Sequence, residues 1–425
     1  MKVDDGLAPP SDGILVGHPG RQHSRQLADA LERGGFLKAY CSGQYGTRRL
    51  ERLWRPIRRI LPISVALNAI PPLGDRDIRT NPVATVLHHA AGITGSRSAV
   101  AWAELVGAAS FDRWFAKKAR SYHPAAVVGY EMATLGAFRA AKALGALCVL
   151  DAAACHFSLQ DELLAVPASV RNRAPGALVR KRKAREVELA DLIICPSQLS
   201  LDSYVAGGAP RSKLRLNSLG VDRDMFAYHE DLRVAGIARI GFVGNSGHIK
   251  GLDLLIEALH SVGRGAEFVL EIAGAASSAV PENVPFKVIR RGKSSAPDVA
   301  RLLASCDFFV LPSRLESFGL VLLEALACGT PVISSRFAGA SMLIEEGING
   351  WVVDPRTAAL RDRIAWCIDN VAGLRGMRPA CVATAAANGW NTYGARTIAI
   401  FSELLRNSPR YIPPGGDRKL TTDNV

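Results

Sequence analysis

The sequence predicts an α/β protein with two domains, each built on a parallel sheet. The chain has 425 residues, which is too long for one ordinary core and suggests two large domains. Short apolar runs alternate with longer helical stretches in both halves, and this alternation is typical of parallel sheets covered by helices. Since 48% of the residues are hydrophobic and 21% are charged, the composition excludes a disordered or collagen-like chain.

The first half carries four apolar runs that are predicted as strands, with helices between them. The clearest helix is predicted over Ser24 to Arg33, directly after the first strand. The predicted strands are Gly13 to Gly17, Ala125 to Gly129, Leu147 to Asp151 and Leu192 to Cys195.

The second half begins after an irregular polar stretch, Asp222 to Arg239, which we interpret as the interdomain linker. A new strand is expected from Ile240. Helices are predicted over Leu252 to Val262, Val299 to Cys306 and Phe318 to Cys328, with strands between them, as in a doubly wound nucleotide-binding sheet. The last residues, 408 to 425, combine Pro, Gly and charge without periodicity, so we expect a disordered tail.

Cysteine usage and the absence of long apolar runs favour a cytoplasmic protein. Eight cysteines are scattered without a C-x-x-C pair, which predicts buried, reduced thiols. No apolar run reaches the roughly 18 residues that cross a bilayer, and the N-terminus lacks the pattern of a secretory signal.

Positive charge is concentrated in the first half. Up to Met225 the chain carries 31 Lys and Arg against 20 Asp and Glu, or +11, whereas the other 200 residues carry 21 against 19, or +2. Such asymmetry indicates an anionic partner for the first half, either a membrane surface, a nucleic acid or an acidic substrate.

The segment from Arg48 to Ile63, RRLERLWRPIRRILPI, has six Arg to one Glu and apolar residues near helical spacing. It fits a helix on an anionic membrane surface, although Pro56 interrupts it and an ordinary solvated basic face remains the alternative. The runs FDRWFAKKAR and RKRKAR add charge to the same half. The residues predicted to contact membrane are Arg48, Arg52, Trp54, Arg55, Arg58 and Arg59.

The most informative stretch is PSRLESFGLVLLEALACGTPVISS, which begins at Pro312 and places a polar loop between a strand and a helix. Open α/β sheets bind ligands at such strand ends. The free N–H groups at the start of the helix and its dipole suit a phosphate oxygen, and Gly319 allows close approach. The residues that supply these amides are Ser317, Phe318, Gly319 and Leu320.

Two glutamates flank this anion site. Glu316 precedes the helix and Glu324 lies within it, so that one carboxylate can reach sugar hydroxyls and the other ribose hydroxyls. Glu324 is the only charge between Gly319 and Ser335, and a buried carboxylate needs hydrogen-bond donors. The alternative for Glu324 is a structural pair with a buried Arg or Lys.

These phrases resemble the retaining glycosyltransferases of family 4, which have the GT-B fold of two facing Rossmann-like domains with a deep cleft between them. The spacing of the two glutamates resembles the signature of that family. Further similar phrases are FVGNSGHIKGLDLLIEAL, LNSLGVDRDMF, LADLIICPSQLSLDSYVAGGAP and WNTYGARTIAIFSELL. The resemblance implies an acceptor-side domain over 1–225, a nucleotide-sugar domain over 226–390 and a helix over 391–407 that crosses back to the first domain.

The resemblance also implies roles for single residues. Glu316 would hold the donor sugar, Glu324 the ribose, and the amides of residues 317–320 the diphosphate. Lys250 would neutralise the diphosphate, while Asn245 stands where many members have an Arg that also faces it.

On the first domain, the loop GHPGRQHSRQLADAL would place Gly20 near the diphosphate. His156 is the candidate for a histidine beside the donor sugar. His18 and His23 could contact acceptor or phosphate, although loop histidines are more often bystanders.

The implied activity is transfer of a hexose-type sugar from a UDP- or GDP-linked donor to a glycan or lipid-linked acceptor, with retention of configuration. We interpret the D-x-D sequences at Asp75 and Asp222 as solvated charges, so no obligatory metal, cofactor or nucleic-acid partner is expected. Lys250 and the helix amides would stabilise the leaving group in a closed cleft. Two alternatives remain, a GT-B nucleotide-sugar epimerase and a non-enzymatic basic adaptor of membranes or nucleic acids.

Overall fold

A computed structural model describes residues 12–20, 22–43, 77–229, 236–245, 247–262 and 267–407 of the chain. The predicted tail, residues 408–425, and part of the predicted linker, residues 230–235, lie outside these ranges. In the described residues the chain forms two parallel sheets, one in each half.

The first sheet has seven parallel strands in the order β3-β2-β1-β4-β5-β6-β7. Its central strands are apolar and buried on both faces, as expected for a parallel sheet between helices. The strands are β1 (Ile14–His18), β2 (Leu37–Ser42), β3 (Asp77–Thr80), β4 (Ala126–Gly129), β5 (Leu147–Asp151), β6 (Leu192–Cys195) and β7 (Leu214–Leu216).

Eight helices accompany this sheet in the described part of the first half. The longest has 26 residues and begins at an N-cap serine, Ser96, whose hydroxyl accepts a hydrogen bond from the Ala99 amide. The helices are α1 (Ser24–Arg33), α2 (Val83–Ile93), α3 (Arg97–Tyr122), α4 (Leu135–Ala143), α5 (Phe157–Leu163), α6 (Ala168–Arg171), α7 (Gly176–Leu189) and α8 (Gln198–Ala206).

The second sheet has six parallel strands in the order β10-β9-β8-β11-β12-β13. Because strand order reverses between β8 and β11, a crevice opens there at the carboxyl ends of the strands. The strands are β8 (Ala238–Val243), β9 (Phe268–Ala273), β10 (Lys287–Gly292), β11 (Phe308–Leu311), β12 (Val332–Ser335) and β13 (Gly350–Val353).

The helices of the second half follow the sequence pattern with shifted ends. One helix, predicted from Val299, begins three residues earlier because Ser295 and Asp298 form a capping box with Pro297 in the first turn. The helices are α9 (Leu252–Val262), α10 (Ala296–Ser305), α11 (Leu320–Ala327), α12 (Thr357–Asp369), α13 (Val371–Leu374), α14 (Arg378–Ala387) and α15 (Trp390–Arg406).

The chain passes between the two halves twice, near residue 220 and near residue 389, and these two segments pack on each other. At Gly220 a Cβ atom would lie 2.5 Å from the backbone nitrogen of Trp390, so only glycine allows this contact. Val221 donates its N–H to the carbonyl of Asn388 at 3.1 Å. Helix α15 then packs against α1 of the first half. The loops after β5 and β6 also hydrogen-bond to the loop after β11, so the carboxyl ends of both sheets face one crevice.

All eight cysteines are buried, and none of them is in a disulfide. Burial raises the pKa of Cys148, for example, to about 12, so this thiol is protonated and unreactive at neutral pH. The predicted buried, reduced thiols are confirmed.

Candidate active site

The 312–319 loop follows β11 and enters α11 in the crevice. Helix α11 begins at Leu320 rather than at the predicted Phe318, because Gly319 has a left-handed conformation with φ of 90°. The Ser317 and Phe318 amides therefore belong to the loop. They remain next to the first amides of α11.

The N–H groups of residues 317–320 donate to no described residue. The neighbouring Glu316 amide, by contrast, donates to the carbonyl of Phe337 at 2.8 Å. Free amides at the positive end of a helix form an anion-binding site. The predicted amides Ser317, Phe318, Gly319 and Leu320 are therefore together and available.

Lys250 and Glu316 meet across this site. The Nζ of Lys250 contacts Oε2 of Glu316, and both side chains are about a fifth exposed. Their loops also join through the backbone, since the Arg314 amide donates to the Ile249 carbonyl at 2.9 Å. Gly251 permits the approach, because a Cβ atom there would lie 2.1 Å from the carbonyl oxygen of Pro312.

Glu324 lies in the second turn of α11 and is partly exposed. Its carboxylate makes no hydrogen bond or ion pair with a described residue, so the alternative of a structural pair receives no support. Burial raises the pKa of Glu324 to about 7, and the charge of Lys250 opposes this shift. A ligand that donates two hydroxyls would satisfy such a carboxylate.

Asn245 is exposed, and its side chain binds a backbone amide at the edge of the crevice. Its Oδ1 accepts a hydrogen bond from the Ala275 amide at 3.3 Å, so the side chain joins the loops after β8 and β9. Since an amide carries no charge, Asn245 adds nothing to the positive potential that Lys250 supplies.

Gly20 lies on the opposite wall, in the loop after β1. Its N–H donates to Nδ1 of His18 at 2.7 Å, and Nε2 of His18 lies 3.2 Å from Oε1 of Gln22. Burial lowers the pKa of His18 to about 4, so the ring is neutral at physiological pH. His18 therefore holds the Gly20 loop and carries no charge to an anion.

A buried polar cluster that the sequence did not predict lies at the ends of β4 and β5. Oδ2 of Asp151 lies 2.9 Å from Nε2 of His23 and accepts the hydroxyl of Tyr130 at 2.6 Å. The ring of Tyr130 also contacts His18 edge-on, with centroids 4.4 Å apart. The only signal in the sequence was that Asp151 ends a predicted strand and that two histidines follow another.

His156 lies beside the crevice, but its ring serves the first domain. The residue is 5% exposed, and its ring caps α5 through Nδ1 and packs on Gly207, where a Cβ atom would lie 2.4 Å away. Burial lowers the pKa of His156. The adjacent Cys155 amide reaches Ser317 in the other domain. A sugar contact by His156 stays a prediction.

The basic run RKRKAR proves to be largely structural. In α7, Arg180 pairs with Asp161, and Lys183 lies 3.7 Å from Glu131. Arg182 pairs with Asp112 and holds the loop after β4. The run therefore supplies less free positive charge than the sequence suggested.

The residues predicted to contact membrane lie outside the described ranges: Arg48, Arg52, Trp54, Arg55, Arg58 and Arg59. No helix among the described residues is long and apolar enough to cross a membrane.

Within the described ranges, no group of three or more His, Cys, Asp or Glu side chains could hold a metal ion. Asp222 instead accepts the amides of Asp224 and Met225, both at 3.1 Å, in a local turn. The other D-x-D sequence, at Asp75, lies outside those ranges.

Two parallel α/β sheets that face each other define the GT-B class of two-domain proteins, and solved structures share this fold. Sucrose-phosphate synthase from Thermosynechococcus elongatus superposes with a TM-score of 0.67 at 18% identity, covering 93% of this chain and 99% of that one. HepE from Anabaena, in complex with UDP-glucose, superposes with a TM-score of 0.59 at 17% identity, covering 92% and 99%. The predicted GT-B fold is confirmed.

Residues 238–370 match the family described as Glycosyl transferases group 1. This segment is about a third of the chain, and it contains the two glutamates and the loop whose sequence resembles that family. A curated relative, D-inositol 3-phosphate glycosyltransferase from Arthrobacter sp. (strain FB24), is 31% identical over 218 residues, which are 48% of each chain. The same enzyme from Thermobispora bispora is 35% identical over 124 residues, which are 28% of each chain. The chain thus matches half or less of the length of these two relatives.

Proposed function

We propose that the protein transfers a hexose-type sugar from a UDP- or GDP-linked donor to an acceptor hydroxyl with retention of configuration. The observation that carries this proposal is the set of four free amides at residues 317–320, beside Lys250 and between two glutamates. A nucleoside diphosphate sugar has the matching order of groups, with ribose, diphosphate and sugar in one line.

In this proposal each group has a distinct task. Glu324 accepts hydrogen bonds from the ribose hydroxyls, and the amides with Lys250 bind the diphosphate. Glu316 contacts the donor sugar, where its negative charge stabilises the positive charge that develops at the anomeric carbon. The leaving diphosphate gains charge in the same step, and Lys250 with the amides stabilises it without a metal ion.

The family and one neighbour support the choice of donor. HepE, a structural neighbour, is described in complex with UDP-glucose, and the curated relatives are named as glycosyltransferases that act on D-inositol 3-phosphate. For this chain we propose a UDP- or GDP-linked hexose as donor. The acceptor that we propose is a glycan or lipid-linked glycan, reached from the cytoplasmic side of the membrane.

The test is calorimetry with UDP and GDP, followed by turnover of UDP-glucose and GDP-mannose. We expect one nucleotide to bind and its sugar conjugate to be consumed, with activity retained in EDTA. A nucleotide-sugar epimerase would convert the donor into an epimeric nucleotide-sugar without net release of nucleotide, whereas a transferase releases nucleotide when an acceptor, or more slowly water, takes the sugar. Absence of binding by both nucleotides would contradict the proposal.

A further inference from the structure

The 312–319 loop is held from two sides, and one side belongs to the other domain. Within its own domain, the Gly339 amide donates to the Glu316 carbonyl at 2.8 Å and the Ala340 amide to the Phe318 carbonyl at 2.6 Å. These bonds fix the two residues on either side of Ser317. Ser317 itself turns toward the first domain.

Ser197 and Cys155 of the first domain bind Ser317. The hydroxyl of Ser197 donates to the Ser317 carbonyl at 2.6 Å, and the Cys155 amide donates to Oγ of Ser317 at 2.9 Å. Both the carbonyl and the hydroxyl of Ser317 are therefore engaged. The residue between Glu316 and Phe318 is the point where the first domain contacts the anion site.

The geometry of Ser197 leaves its hydroxyl little freedom. Ser197 is fully buried and caps α8, where its oxygen accepts the Ser200 amide at 3.1 Å. The proton is then directed at Ser317. Gly339 closes the third side, since a Cβ atom there would lie 2.4 Å from Oγ of Ser197 and 2.2 Å from the carbonyl oxygen of Ser317.

We propose that Ser197 is a positioning residue for the transfer reaction, which acts through Ser317 on the carboxylate of Glu316. The inference rests on the proposed function above. With the domains together, Ser197 and Cys155 hold Ser317 from the first domain, so that the adjacent Glu316 carboxylate is aligned for transfer in the closed crevice. Nucleotide binding needs the second domain alone, whereas catalysis needs the contact between the domains.

Ser197→Ala tests this inference. Removing one buried hydrogen bond should lower kcat for UDP-glucose or GDP-mannose, whichever the wild type consumes, by about three- to tenfold. The affinity for UDP or GDP should stay within about twofold of wild type, since those contacts lie on the other domain. Small-angle X-ray scattering should show a larger radius of gyration for the variant.

Loss of a helix cap is the competing explanation, and the chain offers a matched control. Ser295 caps α10 in the same way, with its hydroxyl accepting the Asp298 amide, but it makes no hydrogen bond with a described residue of the first domain. Ser295→Ala should lower thermal stability by a similar amount and leave kcat unchanged. Equal loss of kcat in both variants would overturn the inference.

Gly339→Ala is a second test that keeps the Ser197 hydroxyl in the chain. Its methyl group would push Ser197 and Ser317 apart, so kcat should fall while nucleotide affinity is retained. Wild-type kcat in both the Ser197 and the Gly339 variants would refute the role of Ser197. A wild-type protein that binds neither UDP nor GDP would instead refute the proposed function, and this inference with it.

Discussion

The carboxylate of Glu316 is in contact with the ammonium group of Lys250, so the two charges proposed to meet the donor neutralise each other across the crevice. Lys250 approaches from the loop after β8 and Glu316 from the loop after β11, the two strands between which the strand order reverses. A bound diphosphate would compete with Glu316 for Lys250. Binding of the donor would then release the carboxylate toward the sugar.

This competition predicts opposite effects of Glu316→Gln on binding and on turnover. Turnover should fall by roughly 10- to 100-fold, because the carboxylate acts where charge develops in the transition state. Affinity for UDP or GDP should stay equal or rise, because Lys250 is no longer engaged by a carboxylate. Calorimetry and steady-state kinetics would measure both, with Glu257→Gln, an exposed glutamate on α9, as the control. Equal loss of binding and turnover would contradict this role.

Glu324→Ala should act on nucleotide binding itself. If the carboxylate accepts hydrogen bonds from ribose hydroxyls, its removal should weaken UDP or GDP binding by about 1.5 to 3 kcal/mol, the range for hydrogen bonds to a charged group. Calorimetry measures the change, and circular dichroism checks that the variant is folded. Unchanged affinity in a folded variant would remove Glu324 from the site.

The raised pKa of Glu324 predicts a pH-dependent cost to stability. The folded carboxyl keeps its proton up to about pH 7, whereas in the unfolded chain it ionises near 4.5. The folded state therefore binds more protons in this window, and stability contributed by Glu324 falls as pH rises from 4.5 to 7. Glu324→Gln should remove this fall and be more stable than wild type above pH 7, by up to about 3 kcal/mol.

Urea denaturation of wild type and Glu324→Gln at pH 5 and pH 8 measures the difference directly. Other groups titrate in the same range, but they are common to both proteins and cancel in the comparison. A difference in stability that is the same at both pH values would show that Glu324 has an ordinary pKa.

The turn after β4 predicts a purely structural effect. Met132 has a left-handed conformation with φ of 71°, and fully buried Glu186 accepts the amides of Met132, Thr134 and Leu135 at 2.6 to 3.1 Å. Glu186→Ala leaves these amides without a partner and should destabilise the fold by about 3 to 5 kcal/mol. Urea denaturation would measure the change. Glu188→Ala is the control, because Glu188 forms an exposed ion pair with Arg185 on the same helix. Equal stability of the two variants would contradict this.

The sequence predicted the sheet class, and it indicated the loop with unpaired amides, because both depend on local patterns. Apolar runs identify buried strands, and a polar loop before a helix indicates unpaired amides, such as those of residues 317–320, which donate to no described residue. It did not predict the Asp151 cluster, since His23 and Asp151 are 128 residues apart and meet only through the order of the strands. For the same reason RKRKAR resembled a free basic run, although Asp112 and Glu131, which pair with it, lie far earlier in the chain.

The basic segment at residues 48–59 gives the last prediction. If it rests on an anionic membrane, each basic residue contributes about 1 kcal/mol near the surface, so binding should be strong at low salt and weak at high salt. Replacing Arg52, Arg55, Arg58 and Arg59 by Ser should detach the protein from vesicles of phosphatidylglycerol and phosphatidylcholine. Nucleotide affinity should stay unchanged, because the proposed donor site lies in the other domain.

A control must remove the same charge elsewhere. Four exposed arginines outside this segment provide it when replaced by Ser together: Arg223, Arg301, Arg356 and Arg361. That variant has the same net charge as the test variant, so it should keep its vesicle binding if the segment itself forms the contact. Equal detachment of both variants would show that net charge alone attracts the protein. Failure of the wild type to co-sediment with these vesicles at low salt would exclude the membrane contact, and the positive charge would then serve an acidic soluble acceptor or solubility alone.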